Sequence, residues 1–136
     1  MTKRKPKLGD VVQIDLPDGR YAYGRVYRDA SIGIYSQRSS APRRPPVGSR
    51  DFMFIVGVYD TALRGWTVVG SDPFSLEEDR GWPPANYIKD VLSGEYSIYY
   101  RGEMRPSSAG ACRGLEEAAV WDGDGIVDRI MGFKGH

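Results

Sequence analysis

Gly9-Asp10-Val11-Val12-Gln13-Ile14-Asp15-Leu16-Pro17-Asp18-Gly19-Arg20-Tyr21-Ala22-Tyr23-Gly24-Arg25-Val26 sets the architecture of this chain. Val12, Ile14 and Leu16 alternate with Val11, Gln13 and Asp15, the period of two that sends successive side chains to opposite faces of a strand. One of those faces is apolar and the other mixed. Pro17-Asp18-Gly19 then supplies turn chemistry, Pro fixing φ and Gly accepting φ > 0. The run from Tyr21 to Tyr27 is aromatic and β-prone, so the two runs form a hairpin. Within the second run Tyr21, Tyr23, Arg25 and Tyr27 share one face, and Ala22, Gly24 and Val26 share the other. The small-residue face predicts close approach by another strand or layer. One of the two faces is expected to be less buried than the other.

Outward from the hairpin, Ile32-Gly33-Ile34-Tyr35 reads as a short third strand, and Ser36 to Arg50, rich in Ser, Pro and Arg, as a long exposed loop. Phe52-Met53-Phe54-Ile55-Val56-Gly57-Val58-Tyr59 is apolar on both faces, the pattern of a strand covered on each side, and is placed in the middle of the sheet. A turn near Thr61 to Gly65 leads to the next strand, Leu63 to Gly70, with a meander as the simplest pairing. From Ser71 to Ala85 the chain is broken by Pro73, Gly81, Pro83 and Pro84, leaving room for a helix of a turn or two that Ser75 caps, with Glu78 completing a capping box. Tyr87 to Leu92 fits either a strand or a helical turn, and Glu95 to Tyr100 is a clearer strand. Asp122-Gly123-Asp124-Gly125 breaks the chain before a short closing helix, with Asp124 as its cap and Ile126, Val127 and Ile130 as its apolar stripe. The expected class is mainly β (α+β): a strongly twisted antiparallel sheet or partly open barrel of about six to seven strands with one short C-terminal helix. A basic arm, 1–8, precedes a single domain, 9–136.

The 136 residues suit one domain with a core of its own. With 19 Lys+Arg against 18 Asp+Glu, no global field draws the chain to nucleic acid or a membrane. The basic cluster Lys3-Arg4-Lys5-Pro6-Lys7 reads as a solvated chain end, a phosphate-contacting arm being the sharper alternative. Cys112 is alone, so no intramolecular disulfide forms and a reducing compartment fits. With neither a signal-peptide pattern nor an apolar run of about 18 residues, the expected location is cytoplasmic.

Enzymatic chemistry has little to start from. The single histidine is His136, and Cys112 has only Arg113 beside it as a basic neighbour. Asp122-Gly123-Asp124-Gly125 is similar to part of a calcium loop, but the acid required six residues after that glycine is replaced by Met131. No glycine-rich phosphate cradle is present, and no catalytic residue, metal ligand or cofactor is nominated. Recognition is better supplied. Nine Tyr and three Trp, with Arg, are the types enriched at interface hot spots, although β-rich folds also use aromatics in their sheets.

Two stretches together resemble a known family. The hairpin from Gly9 to Val26, followed by Ile32-Gly33-Ile34-Tyr35, is similar to the opening of immunity protein 26. The stretch Cys112-Arg113-Gly114-Leu115-Glu116, continuing through Ala119-Val120-Trp121-Asp122 to Ile126-Val127-Asp128-Arg129-Ile130, resembles that family's close. The resemblance spans residues 9–131 and implies a protein that binds and blocks a cognate bacterial toxin inside the producing cell. It supplies no catalytic residue. A nuclease toxin would offer a basic cleft, so Glu77, Glu78, Asp79 and Trp82 are the first candidate contact surface, and Arg38, Arg43 and Arg44 the second, suited to an acidic partner. The loops at 36–50 and 72–86 are where specificity is expected. The rival from another class is a small β-barrel nucleic-acid-binding module, stacking bases on exposed Tyr.

Overall fold

The computed structural model describes residues 5–133; Lys3, Arg4 and His136 lie outside the described residues. Six strands form the first sheet: β1 (Asp10–Asp15), β2 (Tyr21–Tyr27), β3 (Ser31–Tyr35), β4 (Phe52–Val58), β5 (Thr67–Ser71) and β10 (Val120–Trp121), in the spatial order β10-β4-β3-β2-β1-β5. The hairpin forms as the sequence predicts, with Asp15 opposite Tyr21 and Val11 opposite Arg25. Its turn closes through Gly19 N–H donating to Leu16 O, with Gly19 at φ +82°. The apolar face of β1 joins Ala22, Val26, Ile32, Ile34, Phe54, Val56 and Val58 in the main core. The predicted close approach is present: a Cβ on Gly24 would lie 2.4 Å from Ile32 Cδ1.

Three expectations about this sheet are corrected. Its middle is β2 and β3, while β4 has only the two-residue β10 beyond it and leaves Met53 exposed. An apolar run marks burial but not position. The chain between β4 and β5 is a short helix, α1 (Asp60–Gly65), and β5 returns to pair with β1, so the meander does not continue. Finally, neither face of β2 is the open one, since Ala22, Tyr23 and Arg25 are each 0% exposed. Helix α2 (Gly123–Met131) covers one face with Ile126 and Ile130. The loop 36–50 and the segment after β5 cover the other. In that loop Ser39 pairs with Tyr21, Ser39 Oγ lies 2.7 Å from Tyr23 Oη, and Arg44 N–H donates to Tyr23 Oη.

After β5 comes a 3₁₀ segment (Leu76–Gly81), preceded by Ser75, whose backbone N–H donates to Glu78 Oε1 as the capping-box pattern foretells. A second, four-stranded sheet follows in the order β8-β7-β6-β9: β6 (Asn86–Lys89), β7 (Tyr96–Tyr100), β8 (Glu103–Ser107) and β9 (Glu116–Glu117). Tyr87 thus lies on a strand, and β8 had no sequence signal because Glu103-Met104-Arg105-Pro106-Ser107 alternates weakly and contains proline. Among the described residues the fold is mainly β with a short C-terminal helix and no closed barrel, ten strands being divided between two sheets. The segment from β9 to β10 joins the two sheets, pairing in parallel with β6 and then with β4. No residue of the second sheet is fully buried.

The closing helix begins two residues earlier than expected. Asp122 is the N-cap, its Oδ1 accepting from Gly125 N–H at 2.7 Å, whereas Asp124 lies inside the first turn. Asp122→Ala is therefore expected to cost about 1 kcal/mol in urea unfolding, and Asp124→Ala only a few tenths, about 0.3 kcal/mol. Equal losses would contradict this assignment.

Candidate interaction site

Arg25 begins the site, because its position in β2 obliges a guanidinium to lie beneath the surface. Its Nε donates to Asp72 O at 2.7 Å, Nη2 donates to Pro73 O at 2.8 Å and Nη1 donates to Glu78 Oε2 at 2.8 Å. The Phe74 ring lies 3.6 Å below its Cζ. A second arginine, Arg50, closes the arrangement by pairing with Asp72 Oδ2 and with Glu78 Oε2, each at 2.9 Å. Tyr35 Oη donates to Asp72 Oδ2 at 2.6 Å, and Gly48 N–H donates to the same oxygen. Two cations thus face two anions, and the guanidinium's donors are met without solvent, as a buried charge requires.

The electrostatics follow from these contacts. Burial alone would raise the Asp72 carboxyl, but hydrogen bonds from Arg50, Tyr35 and Gly48, with the charge of Arg25, hold it at about 2. The Arg25 hydrogen bond is the main reason that Glu78 is lowered to about 2. Burial, with donation to Asp72, pushes the Tyr35 hydroxyl up, keeping it a donor.

This anchor fixes a strained rim. Asp79 and Arg80 occupy left-handed backbone at φ 52° and 54°. Positive φ in non-glycine residues persists where surrounding contacts over-determine it. Here Arg28 Nε donates to Arg80 O at 2.7 Å, while Tyr100 Oη donates to Asp79 Oδ2 and Arg101 pairs with Asp79 Oδ1. Those last two contacts, Tyr100 first, hold the Asp79 carboxyl below its ordinary value. Tyr99 Oη donates to Asp29 Oδ2 at 2.6 Å, tying the β7–β8 hairpin to the β2–β3 turn. Between the sheets lies a groove of about 470 Å³ whose walls include Pro83, Ile88, Tyr99, Tyr100, Arg101 and Met104.

The first candidate set is therefore divided. Glu77 is exposed, Asp79 faces solvent while bound to Arg101, and Trp82 is half-buried with Arg28 Cζ 5.8 Å from its ring centre. Glu78 works inward, as a partner of Arg25. Interleaving by Arg28, Arg80 and Arg101 leaves the rim mixed in charge. In the second set Arg38 Nη2 donates to Ile130 O at 2.6 Å, near the end of α2, and the side chains of Arg43 and Arg44 are exposed. Cys112 is buried, its Sγ 4.0 Å from Ser97 O. Sequence reading missed Tyr99, Tyr100 and Arg101 as rim residues; the signal available was an aromatic pair beside Arg-Gly, a two-residue hairpin turn in which both residues take φ > 0.

Among known proteins, a family model described as Immunity protein 26 matches residues 7–98, about two thirds of the chain. The match contains the opening hairpin, the Arg25 anchor and the acidic segment. The closing stretch 112–130 lies beyond it. No curated protein and no solved structure matches. No helix among the described residues is long and apolar enough to cross a membrane.

Two outcomes test the anchor. Truncating Arg25 to Ala takes the donor from the carbonyls of Asp72 and Pro73 and the buried cation from Glu78, Arg50 remaining on both carboxylates, and is expected to cost about 3 kcal/mol in denaturant unfolding. For the acids, folded values near 2 lie below the ordinary 3.8 and 4.5, so their stabilisation is complete above about pH 5 and is lost as pH falls to about 2. Asp72, the more buried, contributes on the order of 2 kcal/mol to that loss. Asp72→Asn should flatten the acid limb of the stability profile; an unchanged slope would refute the coupling.

Proposed function

The chain belongs to the immunity protein 26 family, and from that premise we propose that it binds a cognate bacterial toxin in the producing cell and neutralises it by occluding the toxin's functional site. The match over residues 7–98 carries this reading. The contact surface assigned to it is the groove rim: Glu77, Asp79 and Trp82 with Tyr99, Tyr100 and Arg101. Tyr, Trp and Arg are the side chains whose burial dominates interface energies, and Asp79 holds two of them, Tyr100 and Arg101, in place before binding. Glu78 supports this rim from behind. A basic cleft, such as that of a nuclease, is the partner chemistry that Glu77 suits, Asp79 being already paired with Arg101.

The nucleic-acid-binding alternative receives less support. With 19 Lys+Arg against 18 Asp+Glu the chain carries no field to hold a phosphate backbone, and Tyr23 of the opening hairpin is 0% exposed and hydrogen-bonded under the 36–50 loop.

Coexpression with the toxin encoded beside its gene tests the proposal: growth should be rescued, and purified proteins should form a complex that survives raised salt. Failure of both, or nucleic-acid affinity falling steeply with ionic strength, would overturn it. Glu77→Lys should slow association several-fold without lowering the melting temperature, whereas Glu78→Lys should lower that temperature because it breaks the pair with Arg25.

A further inference from the structure

We propose that the β6–β7 turn is a docking knob, with Val91 and Leu92 entering together an apolar, basic-rimmed pocket on the protein partner. The inference rests on the toxin-binding reading and adds to the rim a second contact element. Val91 is 96% exposed and Leu92 95%, while the next most exposed large apolar side chain among the described residues, Leu76, reaches 72%. Gly, Asn, Asp, Ser and Pro dominate such turns because each satisfies a backbone demand. Here those demands are met by other residues. Asp90 Oδ1 accepts from Leu92 N–H at 2.8 Å and from Ser93 N–H at 3.0 Å. Gly94 N–H donates to Asp90 O, Asp90 N–H donates to Glu95 O, and Gly94 takes φ +74°. Val91 and Leu92 thus project from a turn built without their side chains, and its hydrogen bonds reduce the ordering cost of association.

Charge identifies the kind of partner. The acids Asp90 and Glu95 flank the pair, and the nearby cation, Lys89, has its Nζ 5.7 Å from the centre of the Tyr96 ring. An anionic lipid surface selects Lys and Arg around exposed apolar side chains, the reverse of this arrangement. A convex apolar tip with an acidic collar fits a concave apolar floor with a basic rim. The tip and the Tyr100–Arg101 end lie at opposite ends of β7, about 17 Å apart for five residues. A standard interface of about 800 Å² per partner covers both.

The test compares the full-length wild type with a Val91→Ser/Leu92→Ser double variant, using the purified toxin encoded beside the gene as probe. Unchanged melting temperature with binding weakened at least tenfold, chiefly through faster dissociation, is the expected result. Equal affinity overturns the knob and leaves the immunity reading standing; a wild type that neither binds nor protects overturns both. Two further measurements address other occupants. Wild-type sedimentation with phosphatidylcholine–phosphatidylglycerol vesicles, lost in the double variant, would overturn the assignment in favour of lipid. Concentration-dependent self-association, abolished by the same variant, would overturn it in favour of a second copy.

Discussion

A buried guanidinium in the middle of a sheet is the constraint around which this molecule is organised. Arg25 is 0% exposed, and an unpaired ion there would cost several kcal/mol. Its partners come from Asp72, Pro73 and Glu78, 47 to 53 residues away. Satisfying it therefore draws the chain after β5 across the sheet, places Phe74 against the guanidinium and fixes the start of the 3₁₀ segment. Arg50 brings the far end of the 36–50 loop to the same carboxylates. The ionic group and the apolar cluster of Val11, Tyr23 and Tyr35 occupy the same face, so polar pairing and apolar burial are achieved by one arrangement of loops.

That arrangement changes what the two long irregular segments do. Broken by Pro, Gly and Ser, they have the composition of solvent-facing loops, where specificity is expected. In the structure they roof the second face of the first sheet, and their inward side chains, Ser39, Asp72 and Glu78, are fixed by partners within the fold. Their outer margin stays open to solvent, Arg43 and Arg44 in the first segment and Glu77 with half-buried Trp82 in the second. The contact surface proposed above therefore combines that margin with a sheet edge, and Glu78, paired with Arg25, lies behind it.

The legible parts of the sequence are those governed by local rules. The β1–β2 hairpin follows from a period of two and a Pro-Asp-Gly turn, and the capping box from Ser75 and Glu78 three residues apart. The main core was visible as the alternating Val12, Ile14 and Leu16. Pairing at a distance was not, because strand periodicity carries no information about the partner: β5 lies against β1, and β4 lies near an edge despite its apolar run. Alternation of Tyr with Arg25 resembled a half-exposed strand, since local sequence does not announce the burial of a charge that is satisfied 50 or so residues later. Asp124, read as the cap, lies inside the first turn, because the same Asp-Gly pattern two residues earlier supplies the cap at Asp122. Val91 and Leu92 looked like the end of an ambiguous element, and only accessibility distinguishes an apolar pair in a strand from one standing in water.

The two sheets divide the physical tasks unequally. The first is covered on both faces and holds most of the buried apolar side chains. The second has no fully buried residue and is attached through specific polar contacts: Tyr99 to Asp29, Tyr100 and Arg101 to Asp79, and Arg129 of α2 bidentate to Glu116 of β9 at 2.7 and 3.0 Å. Such contacts contribute less net stability than apolar burial, but their directionality fixes orientation. A sheet held in register yet left uncovered keeps Tyr, Ile and Met side chains accessible without the cost of ordering them at the moment of encounter. The buried charges of the first sheet belong to the same logic, because Glu78 is pinned by Arg25 one residue before Asp79, which in turn receives Tyr100 and Arg101. Stability at the centre and geometry at the rim are thereby linked through two adjacent acidic residues, one facing inward and one facing outward.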